Sequence, residues 1–216
     1  MCSRKGRLDL MNILILGATG RVGSQIVKHA LHDGHHVTVL VRTSEKVQIT
    51  NEKLTIIQGN VLNEDDIVRS IGGIDVVISA LNTDGTTTLS ESMPLIIKAI
   101  KTEGIQRIIT IGTAGILQSR STPQSMRYEL RKSKGRSVRA AKEHHKVYAM
   151  LKQSTLEWTI VCPTYLPDGE SIGKYRVDDD FLPEGGTEIS VSDTAEFTFS
   201  QIKSSDYIKS RVGIAY

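Results

Sequence analysis

Asn12-Ile13-Leu14-Ile15-Leu16-Gly17-Ala18-Thr19-Gly20-Arg21-Val22-Gly23 decides how the rest of this chain is read. Asn12–Leu16 is a short apolar run of the kind a buried strand carries, and it stops at Gly17. Beyond the turn, Val22, Ile26, Val27, Ala30 and Leu31 fall on one helical face, and Gly34 follows as a helix-ending glycine. Strand, glycine turn and amphipathic helix in that order form a βα unit whose turn can hold the pyrophosphate of a dinucleotide. Gly17 permits the tight turn, Gly20 lets the backbone approach the phosphates, and Gly23 lets helix and strand pack closely. Thr19, Arg21 and Val22 complete the surface on which unpaired N–H groups and the positive helix end meet the phosphate charge.

Working outward from the turn, strand and helix signals alternate, which predicts an α/β, Rossmann-type doubly wound fold with a mostly parallel sheet. Further strands are expected at 37–41, 54–58, 75–81, 107–111 and 158–162. Asn63 caps a short helix, with Glu64, Asp65 and Asp66 set against its dipole. Longer helices are expected at 89–102, closed by Gly104, and at 137–153. After Pro163 the rhythm breaks: β signals at 174–177 and 188–191, a helix over 194–202 capped by Ser192 or Asp193, and a last strand at 211–214. This C-terminal third reads as a small substrate-side lobe built onto the same sheet. With no internal repeat and no linker, 11–216 reads as a single domain, and 1–10 as a disordered N-terminal extension.

A chain of 216 residues suits one such sheet with its helices, and 39% hydrophobic against 24% charged residues is a globular balance. The net charge of +3 does not by itself call for a nucleic-acid partner. Cys2 and Cys162 are too few for a disulfide framework or a metal site, so no metal is expected. No apolar stretch approaches the roughly 18 residues that cross a bilayer, and the first ten residues are too polar for a signal peptide. A soluble, cytoplasmic protein without membrane contact is the expectation.

The choice of dinucleotide is read at the end of the second strand, where an acidic residue would bond the ribose hydroxyls of NAD. Here the sequence runs Val41-Arg42-Thr43-Ser44-Glu45-Lys46. Arg42 offers a planar fork of donors to a 2′-phosphate, Ser44 and Lys46 can add others, and Arg21 can reach the same group. NADP(H) is therefore expected in preference to NAD(H).

The stretches GATGRVG, HHVTVLVRTSEK, DVVISALN, RIITIGTAG and STLEWTIVCPTYLPDG, followed by GKYRV, stand in this order along the chain. In them, over nearly all of 11–216, the chain resembles the atypical short-chain dehydrogenase/reductases: the NmrA-like group, and especially the biliverdin-IXβ/flavin reductases. The resemblance implies that Ala80, Leu81 and Asn82, after Ser79, flank the adenosine and diphosphate. It implies that Asn60, with Val61, stands where the family often has an aspartate beside the adenine. Thr113 matches the family's serine or threonine near the nicotinamide, and Pro163, Thr164 and Tyr165 would line the nicotinamide face.

The family pattern is also broken. Most short-chain dehydrogenases carry a Tyr-x-x-x-Lys pair, and the corresponding positions here are Ala140 and His144. Reversible alcohol oxidation is therefore not expected. A proton can come instead from His144, which ordinarily titrates near neutrality, from Tyr165, or from water. Thr113, His144 and Tyr165 are the candidate catalytic residues. The resemblance implies an NADPH-dependent oxidoreductase passing hydride to a conjugated small-molecule acceptor such as a flavin, quinone or linear tetrapyrrole. The NmrA-like precedent gives the alternative, a non-catalytic NADP(H)-binding sensor that regulates a partner.

Segment 118–146 holds nine basic residues (Arg120, Arg127, Arg131, Lys132, Lys134, Arg136, Arg139, Lys142 and Lys146) against Glu129 and Glu143. It is either a solvated face or a lid that attracts phosphate or carboxylate groups on an acceptor such as FMN. Nucleic acid is a poorer reading, because Tyr128 is the one aromatic stacking partner there, with Tyr148 just beyond. Monomer and dimer both fit the sequence.

Overall fold

Side chains alternate along β1 (Asn12–Leu16), Ile13 and Ile15 entering one core layer while Leu14 and Leu16 enter the other. A strand buried on both faces needs helices on both sides of its sheet. The computed structural model describes residues 10–130 and 135–216 and shows that arrangement. In chain order β1 is followed by α1 (Arg21–His32), β2 (His36–Val41), β3 (Leu54–Gln58), α2 (Glu64–Ile71), β4 (Val76–Ser79), α3 (Thr88–Thr102) and β5 (Arg107–Ile111). Then come α4 (Arg136–Gln153), β6 (Glu157–Pro163), β7 (Arg176–Asp179), α5 (Val191–Ser200) and β8 (Ser210–Ala215).

The eight strands form one sheet in the order β3-β2-β1-β4-β5-β6-β8-β7, parallel throughout except for β7, which runs antiparallel to β8. α1 and α5 cover one face, and α2, α3 and α4 the other. The order reverses between β1 and β4, and Leu16 lies level with both Leu40 and Ser79 in the neighbouring strands. A crevice opens beyond these carboxyl ends, the place where open α/β sheets take their ligands.

The expected extension at 1–10 lies outside the described residues apart from Leu10. Among the described residues no helix is long and apolar enough to cross a membrane. Asn63 caps α2 as expected, its side chain accepting the Asp66 N–H at 3.1 Å. The strand expected at 75–81 stops at Ser79. After donating the Ala80 N–H to the Leu16 carbonyl at 2.8 Å, the chain leaves the sheet under the glycine turn.

The strand expected at 188–191 is absent. Glu188 makes one bridge to Tyr165, and Val191 already opens α5, because the Ser190 hydroxyl accepts the Asp193 N–H at 3.0 Å and caps the helix there. The cap is thus Ser190 rather than Ser192 or Asp193. The C-terminal third does build onto the same sheet, with β8 inserted between β6 and β7. Asp193 pins it: the buried carboxylate accepts the N–H groups of Ile172 and Gly173 at 3.0 and 3.1 Å, the Tyr216 hydroxyl at 2.5 Å and the Ser171 hydroxyl. Burial works against that charge, yet these bonds hold the carboxyl below its ordinary pKa.

Candidate functional site

Gly17 ends β1 with a φ of +81°, in the left-handed region that favours glycine. A Cβ there would collide with the carbonyl of Ala80, and one on Gly23 would collide with the carbonyl of Gly17. The turn is therefore folded onto itself between β1, β4 and α1, and side chains are excluded from it. Gly20 is the extended N-cap of α1; no side chain caps the helix, and its first turn carries no acidic residue. The positive end of α1 is left to face the crevice.

A cleft of about 290 Å³ runs from this turn along the strand ends. It brings together Gly17, Thr19, Gly20, Arg42, Asn60, Val61, Ala80, Leu81 and Asn82 from the sequence-derived set. Arg42 is exposed at the end of β2, and its guanidinium has no hydrogen-bond or ion-pair partner among the described residues. Asn60 is held by its own backbone: its N–H donates to Asp66 at 2.8 Å and its side-chain oxygen accepts the Leu62 N–H at 3.1 Å. The side-chain NH₂ stays free to donate to a base. The cleft also uses Leu40, Gly59, Leu62, Asp84 and Thr88, which sequence reasoning missed. Gly59 and Leu62 follow β3 and Asp84 follows β4, a position that was the available signal, whereas Leu40 lies within β2 and Thr88 opens α3.

Other expected residues are placed differently. Arg21 does not turn toward Arg42; its guanidinium donates to the Leu166 carbonyl at 3.0 Å and to Asp168 at 2.9 Å, on the segment after β6. Ser44 is absent from the cleft walls, and its hydroxyl donates to Glu45 at 3.2 Å. Val22 opens the helix behind the turn and is also not a wall of the cleft.

Thr113 follows β5 and caps a single helical turn, Ala114–Ile116, by accepting the Gly115 N–H at 3.4 Å. Its hydroxyl hydrogen has no acceptor among the described residues. Pro163 is buried at the end of β6, the Thr164 hydroxyl donates to the Thr187 carbonyl at 2.9 Å, and the Tyr165 side chain is 67% exposed. Beneath Thr113, the buried Cys162 thiol is pushed up to about 12 by its burial, against the pull of Arg211, and is not a nucleophile.

The expectation that His144 titrates near neutrality is corrected by the packing of α4. Ala141 on that helix packs against Gly115, and burial pushes His144 down to about 4, against the opposing pull of Glu143. His144 is therefore a neutral imidazole at pH 7 and not one of the cleft walls. Glu143 beside it is buried, but the Lys146 ammonium and the Ser90 hydroxyl, each donating at 2.7 Å, hold its carboxyl below the usual range.

Within 118–146, Arg131, Lys132 and Lys134 lie outside the described residues. Of the rest, Arg120 pairs with Asp178 and Lys146 with Glu143, so part of the basic run is bound into the fold. Among the described residues no cluster of His, Cys, Asp or Glu is arranged to hold a metal ion.

The NAD(P)H-binding family matches residues 17–205. The Photosystem II assembly factor Ycf39 of Synechocystis is 32% identical over 106 residues, covering 46% of this chain. That match spans only about a third of the length of Ycf39. A Streptococcus pneumoniae protein described as a candidate NADH-flavin reductase superposes with a TM-score of 0.80 at 27% identity, covering 95% of this chain and 99% of that one. A wide-type short-chain dehydrogenase/reductase from Veillonella parvula, solved in complex with NADP, shares the fold with a TM-score of 0.77 at 20% identity, over 95% and 94% of the two chains.

Proposed function

The chain belongs to the NAD(P)H-binding family, and on that premise we propose that it is an NADPH-dependent reductase passing hydride to a conjugated small-molecule acceptor, a flavin, quinone or linear tetrapyrrole. One observation carries the reading. An open dinucleotide cradle adjoins a helix on which the positions of the usual proton-transferring pair are Ala140 and a His144 that is neutral at pH 7. Such a site suits acceptors whose conjugation spreads the incoming charge, and these need little acid catalysis. The candidate flavin reductase from Streptococcus pneumoniae, similar over almost its whole length, supports the flavin class.

The cradle fits the cofactor, because the Gly17–Ala80 and Gly17–Gly23 contacts leave bare backbone facing the crevice. Gly17, Thr19 and Gly20 would hold the diphosphate at the end of α1, and Asn60 and Val61 the adenine. Arg42 would take the 2′-phosphate, which makes NADPH the preferred form. Thr113, with its unused hydroxyl hydrogen, and Pro163 and Tyr165 beyond β6 would position the nicotinamide end. When bound, the reduced nicotinamide supplies a hydride, leaving NADP⁺, and one proton from solvent completes the two-electron reduction of the acceptor. The protein binds and orients the two partners, and water brings the proton.

The test is a fluorescence titration with NADPH and NADH, followed by addition of FMN, biliverdin or a quinone while the absorbance of reduced nicotinamide is followed. Tight NADPH binding with turnover is expected. Tight binding without turnover over the whole panel overturns the reductase and moves the chain to the NADP(H)-sensor reading.

A further inference from the structure

Beside the cleft, and sharing Asn82 and Asp84 with it, lies a second cavity of about 380 Å³. Its walls come from the loop between β4 and α3 and from the first two turns of α4. On α4 the lining residues Arg136, Arg139, Ala140 and Glu143 are three, four and seven apart, which puts them on one face of the helix.

Both arginines are exposed, and among the described residues neither has a hydrogen-bond or ion-pair partner. The acidic groups nearby do not answer them. Glu143 is taken by Lys146 and Ser90, and the Asp84 carboxylate accepts the Thr86 hydroxyl at 2.9 Å. The first turn of α4 holds no acidic residue, and among the described residues no side chain caps it. Ala140, in the position of the usual tyrosine, keeps the cavity open where a larger side chain would fill it. Two unanswered guanidinium groups thus stand over an open pocket contiguous with the dinucleotide cleft.

We propose that this cavity docks a phosphomonoester carried by the acceptor, with Arg136 and Arg139 as the residues that select for it. The proposal rests on the reductase reading and adds the substrate class. A phosphomonoester carries about −1.5 to −2 charges at pH 7, matching two cations, and its oxygens fit the guanidinium fork.

FMN and riboflavin share one ring system and differ by this phosphate, so they are the probes. Flavin fluorescence quenching on the NADP⁺-saturated protein is expected to show FMN binding about tenfold or more tighter than riboflavin, with an advantage that shrinks as salt is added. In the double variant Arg136→Gln/Arg139→Gln the ratio falls to about one while NADP⁺ binding persists, and the KM preference for FMN disappears with it. Equal binding of the two flavins by the unaltered protein overturns the proposal. So does a double variant that weakens NADP⁺ as much as FMN, because the arginines would then serve the cofactor. Turnover of both flavins with equal KM keeps the reductase and rejects the phosphate site. FMN-selective binding without turnover keeps the site and rejects the reductase.

Discussion

Arg21 and Asp168, 147 positions apart in the chain, meet at 2.9 Å across the mouth of the crevice. The contact joins the first turn of α1 to the segment that follows β6, and the Leu166 carbonyl strengthens it by accepting from the same guanidinium. The two side chains are 56% and 81% exposed, so the pair contributes no more than about 1 kcal/mol. Asp168→Ala is expected to lower the melting temperature by no more than about 4 °C. A larger loss in a thermal scan would mean that the segment depends on this contact for its fold.

Arg42 has no partner among the described residues, so its removal should be felt by the ligand and not by the fold. Arg42→Ala should cost NADPH binding roughly 1–3 kcal/mol and NADH binding much less. Parallel titrations with the two cofactors measure the difference. An equal loss for both would take the 2′-phosphate away from Arg42.

At Gly17 and Gly23 the effect should be on the turn itself. Gly17→Ala places a side chain at a φ of +81° and against the Ala80 carbonyl, and Gly23→Ala drives one into the Gly17 carbonyl. Each variant should lose several-fold or more in NADPH affinity along with stability, read by titration and by urea midpoint. Unchanged binding in a folded Gly23→Ala protein would show that the turn can open without cost.

His144 makes stability depend on pH. Its folded-state value of about 4 lies below the ordinary 6.5, so protonation favours the unfolded chain. The group is neutral in both states above pH 6.5, and stability is lost as pH falls from there toward 4. The full loss is about 3 kcal/mol, with about 2 kcal/mol of it between pH 7 and 5. Urea unfolding at those two pH values should show this slope in the unaltered protein and a flatter one in His144→Gln. Identical slopes would mean that the imidazole is hydrated in the fold.

Asp193→Ala leaves the Ile172 and Gly173 amides and the Ser171 and Tyr216 hydroxyls without their common acceptor. A loss of about 2–4 kcal/mol is expected, seen as a lower urea midpoint. A neutral result would show that water replaces the carboxylate.

The sequence exposes most where local chemistry is decisive. The run before Gly17, the spacing of the three glycines and the Asn63 cap can each be read from neighbours within a few positions, although the Ala80 carbonyl that closes on Gly17 comes from far along the chain. Ile189 and Val191 resemble a strand by alternation, yet Ser190 between them caps a helix. Arg21 could not be placed from its own neighbourhood, because Leu166 and Asp168 arrive from the far side of the crevice. The state of His144 depends on how deeply α4 is pressed into the fold, which a charged helical segment does not reveal. Ser44 was drawn away by Glu45, its immediate neighbour.

The insertion of β8 between β6 and β7 also bears on the order of assembly during synthesis. β7 leaves the ribosome before β8, its one hydrogen-bonding neighbour among the described residues of the sheet, and α5 is made in between. Until residues 210–215 emerge, β6 presents an open edge, β7 has nothing to pair with, and the hydroxyl of Tyr216 cannot reach Asp193. The nascent chain can complete its cradle at β1, β2 and β4 early, while the β6–β7 end of the sheet waits for β8 to slot in.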